Sequence, residues 1–432
     1  MTVTGTGEPW DNPRIPQILA GARGSRRALL ATGLSAIAAS ACARRPGSLG
    51  NGPAVGTAQR TPRLTAQGGD LLWNRKPFRA LGATSYELQG YFSVKDPPAF
   101  TGGGHRWSVQ RWGNSTHGRR ILALAAQFGV RVMRLAPLGY SPAWIAYWHT
   151  DPEAYWAGQD AMMQAVQENG VYVQPDLLWN TFFNLLTGEA LQSAMSVLGT
   201  KTHAMALQFV QQWMTRYRSH PSVLLWELGP TFNVQTGRAT KELQPFSTIS
   251  EMNTGMAYWY GVMKALDPTH LISTGCGSIP YGSAPGEGYT LREQVKAFVL
   301  VNQTCDVAQI NAYQDALLKT PNNIGGYLKA MAQAAQSELG KPLIVGEFGE
   351  DYLKHPHATF TRAVLVAWAG GAVPLARVWD WMATPNQGAT QLGMSVDPTT
   401  RPSVAALFKE CAAKYSAAGF RLRPASITSA SS

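Results

Sequence analysis

His220-Pro221-Ser222-Val223-Leu224-Leu225-Trp226-Glu227-Leu228-Gly229-Pro230-Thr231-Phe232-Asn233 is the stretch from which the rest of the chain can be read. Its middle, Val223 to Leu228, is a nearly continuous apolar run. Gly229-Pro230 closes it, since proline has no amide hydrogen to give to a sheet. A run without polar alternation is what a parallel strand shows when helices cover its outer face. Seven further runs of this kind recur: Phe78 to Ala83, Arg131 to Ala136, Val171 to Asp176, Leu271 to Thr274, Val307 to Ala312, Leu343 to Gly346 and Pro374 to Trp379. Helical patterns lie between them. Ile121, Leu124, Ala125 and Phe128 fall at i, i+3, i+4 and i+7, the spacing of one helix face. Asn169-Gly170 and Leu339-Gly340 stop two helices just before strands. Eight strand-then-helix units predict a single-domain α/β fold, a (β/α)8 TIM barrel over residues 68–420. That span exceeds the roughly 250 residues typical of the fold, so residues 84–116 and 275–300 read as loop insertions.

Composition narrows the class. The chain is 45% hydrophobic and 15% charged, ordinary for a globular protein with a sizeable core. Its 14 Trp, 15 Tyr and 14 Phe can stack on sugar rings or fill a core. The net charge is +11, of which residues 1–41 carry four basic and two acidic groups, leaving about +9. No Lys/Arg run interrupts the globular part, so the excess reads as diffuse surface charge and no nucleic-acid partner is expected.

The N-terminus reads as an export signal. Ser25-Arg26-Arg27 precedes a run of apolar and small residues from Ala28 to Ala41, too short for a spanning helix of about 20 residues. The arginine pair implies the twin-arginine route. Ala39-Ser40-Ala41-Cys42 resembles a lipoprotein processing site, which would make a lipid anchor at Cys42 the one membrane contact. Residues 1–42 are thus read as the signal, 43–67 as a flexible linker and 421–432 as a tail. The expected location is periplasmic, at the cell surface or membrane-anchored. Cys276, Cys305 and Cys411 remain, an odd number: either Cys276 and Cys305 form one bridge, or all three are buried free thiols.

In an eight-stranded α/β barrel the site lies at the C-terminal ends of the strands. Those ends carry Tyr86 and Glu87, Arg134, Asp176 and Trp179, Thr231 and Asn233, Asn311 and Tyr313, Glu347, and Trp379-Asp380-Trp381. Several pieces resemble glycoside hydrolase family 5, the cellulase- and mannanase-like retaining β-glycosidases. Lys76-Pro77-Phe78-Arg79-Ala80-Leu81-Gly82 resembles that family's opening strand, and Val132-Met133-Arg134-Leu135 its strand-two arginine motif. The 220–233 stretch resembles its fourth strand. Gly340-Lys341-Pro342-Leu343-Ile344-Val345-Gly346-Glu347-Phe348-Gly349 resembles the strand carrying its nucleophile. The resemblance implies Glu347 as nucleophile, Arg134 and Tyr313 as the groups that orient it and hold it ionised, and Trp379 as a sugar platform. Asn311, Trp179 and Asp380 would complete the substrate site.

The departures fall on one strand and its neighbour. Thr231 stands at the family's acid/base position, and a hydroxyl cannot act as a general acid near neutral pH. Pro230 replaces the Asn that would bond the sugar 2-hydroxyl, and Asn311 stands where His is usual. Glu227 lies four residues before Thr231, about 13 Å along an extended strand at 3.3 Å per residue, and reads as barrel interior. Glu87, Asp176, Glu350 and Asp380 remain as substitute proton donors. The expected protein is a monomeric glycosidase acting on β-linked oligo- or polysaccharide of the glucan or mannan type. The alternative is a non-catalytic carbohydrate-binding barrel. No cofactor is expected: there is no P-loop, GxGxxG or GxSxG. No metal is expected either, and His355 and His357 read as solvated loop residues.

Overall fold

A computed structural model describes residues 64–85, 88–102, 105–107, 113–139, 141–178, 182–190, 195–236, 246–277, 290–313, 324–382 and 393–416. The export segment, Cys42, Tyr86, Glu87, Trp179 and the tail lie outside the described residues.

Among the described residues, eight parallel strands alternate with eight principal helices. The strands are β1 (Ala80–Thr84), β2 (Val130–Leu135), β3 (Tyr172–Pro175), β4 (Trp226–Glu227), β5 (Ile272–Ser273), β6 (Ala308–Tyr313), β7 (Leu343–Gly349) and β8 (Leu375–Val378). The helices that follow them are α1 (Ser115–Gln127), α2 (Pro152–Glu168), α3 (Lys201–Tyr217), α4 (Ile249–Leu266), α5 (Leu291–Val301), α6 (Ile324–Ala334), α7 (Thr359–Ala369) and α8 (Pro402–Ser416). Continuous ladders join six strands in the order β6-β7-β8-β1-β2-β3, and β4 pairs with β5. Parallel bridges at Val173–Val223, Asp176–Glu227 and Ser273–Val307 join the two sheets at both seams. Amide bonds from Leu177 to Glu227 O and from Thr274 to Val307 O reinforce these seams. The ring of strands is thereby closed in chain order, as the eight repeats predict.

Local sequence explains the helix starts. Asn114, Asp151, Thr200, Thr248 and Thr290 each accept a first-turn amide hydrogen from their helix, satisfying a donor that would otherwise lack a partner. α2 also has Pro152 in its first turn, where the missing amide costs nothing. Gly170 (φ +62°) follows the α2 cap, and Gly340 (φ +65°) ends the π-turn Ala335–Leu339 that extends α6.

The stretch read as linker ends earlier than expected. Leu64–Gln67 pairs antiparallel with Asp70–Trp73, which pairs with Lys76–Pro77. Leu64, Leu71 and Phe78 from this ribbon join Val132, Leu224, Leu225, Val307, Ile344 and Leu375 in one apolar cluster. The cluster contains Val307 just before β6, Ile344 early in β7 and Leu375 at the start of β8, so the ribbon packs at that end of the barrel. One apolar residue in a polar segment, Leu64, gave too little signal to read. The β2–α2 connection also holds an unforeseen helix, Pro142–Thr150, capped by Ser141.

Candidate active site

Four strands bring charged side chains together in the barrel interior. Arg134 at the end of β2 is fully buried and holds three carboxyl groups. Its Nε and Nη2 donate to Glu227 Oε2 and Oε1 at 2.9 and 2.6 Å, a bidentate pair. Nη2 also donates to Asp176 Oδ2 at 2.9 Å, and Nη1 donates to Glu347 Oε1. From β8, Arg377 donates to Glu227 Oε2 at 3.2 Å and to Gln309 Oε1 at 2.9 Å. Gln174 and Gln309 each donate to Glu227 at 3.0 Å. Arg377 reaches this layer by crossing Gly82, where a Cβ would stand 2.6 Å from Arg377 Cγ and 2.7 Å from Val132 O.

Glu347 is set by an irregularity in β7. The register slips against β6 between Ile310 and Asn311, and against β8 between Val345 and Phe348, the kind of bulge that re-aims a side chain. Arg377 Nε bonds Gly346 O at 2.9 Å and fixes the turn of the chain there. Glu347 Oε2 then accepts the Tyr313 hydroxyl at 2.6 Å. Trp379 packs on Ala136, with Tyr313 and Met394 beside it, and is 5% exposed.

The electrostatics separate Glu227 from Asp176. Burial opposes ionisation of Glu227, but Arg134 and Arg377, with hydrogen bonds from Arg134 and Gln309, hold it below the usual range. Burial pushes Asp176 well above the usual range, the charge of Glu227 adds to this, and Arg134 offsets only part of it. Burial also lowers the Arg377 guanidinium to about 10, while the Glu227 carboxylate pulls the other way.

The structure therefore gathers Glu347, Arg134 and Tyr313 into one hydrogen-bonded group, with Trp379 packed against Tyr313. Asn311 lies beside Glu347 in register, 1% exposed, its Oδ1 without a hydrogen-bond partner among the described residues. Thr231 follows β4 in the left-handed region at φ +45°, its amide bonded to Gly275 O at 2.7 Å. Glu227 is interior, yet it shares Arg134 with Glu347; a distance counted along one strand missed this closeness across the barrel. Among the proposed donors, Glu350 accepts the Thr361 and Phe360 amides at 2.7 and 3.4 Å and so caps α7. Asp380 is 1% exposed, below the 6% of Glu347. Arg377, Gln174 and Gln309 went unread, although each interrupts an apolar strand. Cys276 and Cys305 are buried free thiols rather than a bridge, and Cys411 is only half-buried. Among the described residues no group of three or more His, Cys, Asp or Glu could hold a metal ion.

No family model matches the chain. A rice (Oryza sativa subsp. japonica) protein, mannan endo-1,4-beta-mannosidase 2, is 24% identical over 326 residues, covering 69% of this chain and 66% of its own length. The endo-1,4-beta-mannanase structure from Rhizomucor miehei superimposes with a TM-score of 0.56 at 14% identity, over 82% of this chain and 99% of that one. A glycoside hydrolase family 5 mannosidase from the same organism gives 0.57 at 11% identity, over 83% and 99%. At these identities the solved structures establish the fold. The rice relative adds a likeness in sequence over about two thirds of each chain.

Proposed function

We infer that this chain is a family 5-type glycoside hydrolase acting on β-linked glycan, with Glu347 as the nucleophile of a retaining site. The observation that carries this reading is the Glu347 carboxylate, bound by the Tyr313 hydroxyl at one oxygen and by Arg134 at the other, at the C-terminal end of β7. A carboxylate so oriented is suited to attack an anomeric carbon, forming a glycosyl-enzyme that water then hydrolyses. The relative's and neighbours' names favour mannan over glucan. The departing oxygen needs a proton that the Thr231 hydroxyl does not supply, so glycosides with good leaving groups are the substrates expected to turn over fastest. The chain is exported by its twin-arginine segment, with Cys42 as the lipidation point.

A second reading, a carbohydrate-binding barrel, is favoured by one observation. Asp176, Glu227, Glu350 and Asp380 are all more deeply buried than Glu347. The deciding experiment is hydrolysis of β-mannans, β-glucans and activated aryl glycosides by the signal-free protein beside Glu347→Gln. Turnover of aryl glycosides alone, lost in the variant, supports a nucleophile without its proton donor. Polysaccharide turnover lost in the variant points to a substitute acid. No turnover of any substrate, with sugar binding retained, sinks the hydrolase reading and leaves the binding barrel.

A further inference from the structure

Asp176 lies just past β3 with no part in the chemistry assigned to Glu347. Its side chain is fully buried. Oδ2 accepts from Arg134 Nη2 at 2.9 Å, and Oδ1 has no hydrogen-bond partner among the described residues. The charged groups that face it, among the described residues, are Arg134 from β2, Glu227 from β4, Glu347 from β7 and Arg377 from β8. Two guanidiniums thus meet three carboxyls. Glu227 takes the larger share, two bonds from Arg134 and one from Arg377. Glu347 takes Nη1 of Arg134 and the Tyr313 hydroxyl. Asp176 is left with one N–H of an Nη2 whose other N–H serves Glu227 at 2.6 Å. A buried anion with a bare oxygen and a single donor is the costly arrangement.

We infer that Asp176 is a neutral carboxylic acid in the folded protein, a positioning residue whose proton on Oδ1 leaves Arg134 divided between only two anions, Glu227 and Glu347. Burial and the neighbouring Glu227 charge act in the same direction. When Asp176 ionises at alkaline pH, a third anion competes for Arg134 and the hold on Glu347 loosens. That last consequence rests on the hydrolase reading; the protonation state does not.

The test compares the wild-type domain with Asp176→Asn, which resembles the neutral acid in shape and cannot ionise. In the unfolded chain Asp176 ionises above about pH 4. Its folded value is raised, so its contribution to stability is complete below that pH and is lost as pH rises. Asp176→Asn is therefore expected to be the more stable protein at about pH 7. The ratio of the two folding constants should grow by up to about tenfold per pH unit from about pH 4. A variant less stable than wild type at neutral pH, with the deficit shrinking on acidification, overturns the inference, as does failure to fold there. The wild-type protein should also show the infrared carbonyl band of a protonated carboxylic acid at neutral pH, missing from Asp176→Asn; a wild type without the band overturns the inference. For the positioning role, the alkaline limb of kcat/KM on an activated aryl glycoside should move to higher pH in the variant. Identical limbs count against it. Absence of turnover in the wild type defeats the hydrolase reading, while the stability and infrared readouts still judge Asp176.

Discussion

Replacing Arg134 by Met tests the interior layer most directly. The side chain is fully buried and the methionine fills most of its space, so the loss is chiefly electrostatic. Without it Glu227 keeps Arg377 at 3.2 Å and the two glutamine amides at 3.0 Å. Glu347 keeps only the Tyr313 hydroxyl among the partners described above. One buried anion is then left uncompensated, a loss of about 3–5 kcal/mol out of a typical total of about 5–15. At about 2 °C per kcal/mol for a domain larger than 200 residues, Tm should fall by roughly 6–10 °C at neutral pH. The pH dependence carries a sign. Glu227 is held below its ordinary value of 4.5, so its contribution is present above that pH and is lost as pH falls through the lower folded value. The gap between wild type and Arg134→Met should therefore be widest at neutral pH and narrow below about pH 4.5. Calorimetry from acid to neutral pH measures both. A loss under about 1 kcal/mol, or a gap independent of pH, would refute the account of Arg134 as the shared counter-ion.

Further outcomes follow from single contacts. Tyr313→Phe removes a hydrogen bond to a charged group worth about 1.5–3 kcal/mol, so Tm should fall by roughly 3–6 °C at about 2 °C per kcal/mol, and kcat/KM on an aryl glycoside should drop by roughly 10- to 100-fold. Thr231 holds a β-branched residue at φ +45°, so Thr231→Gly should stabilise the domain by about 1 kcal/mol in denaturant melts. Thr231→Glu, paired with Pro230→Asn, should raise turnover of unactivated glycans by as much as about 10²- to 10⁴-fold. An unchanged rate would mean that position 231 does not face the departing oxygen. Gly82→Ala places a Cβ 2.6 Å from Arg377 Cγ and 2.7 Å from Val132 O, and overpacking of this kind should cost about 1–3 kcal/mol in stability.

Apolar patterning along the chain set out the architecture and the order of the site residues along it. Strand periodicity is written in consecutive residues, so the runs ending at Asp176, Leu228, Ala312 and Trp379 were legible, as were the glycines at 170 and 340 that stop helices. A local signal also marked Glu347 and Arg134, because each follows an apolar run at the end where this fold builds its sites. Which charges meet was decided only by closing the barrel. Glu227 lies 93 residues from Arg134 and 150 from Arg377, and no local pattern states that they share one interior layer. The depth of that layer is likewise tertiary. Burial and the uneven division of two guanidiniums among three carboxyls set Asp176 apart from Glu227, though along the chain each is simply an acidic residue at the end of an apolar strand. Charge pairing acts through space over a few ångströms, whereas strand and helix patterning acts through neighbours in the chain, and that difference divides what was read from what had to be seen.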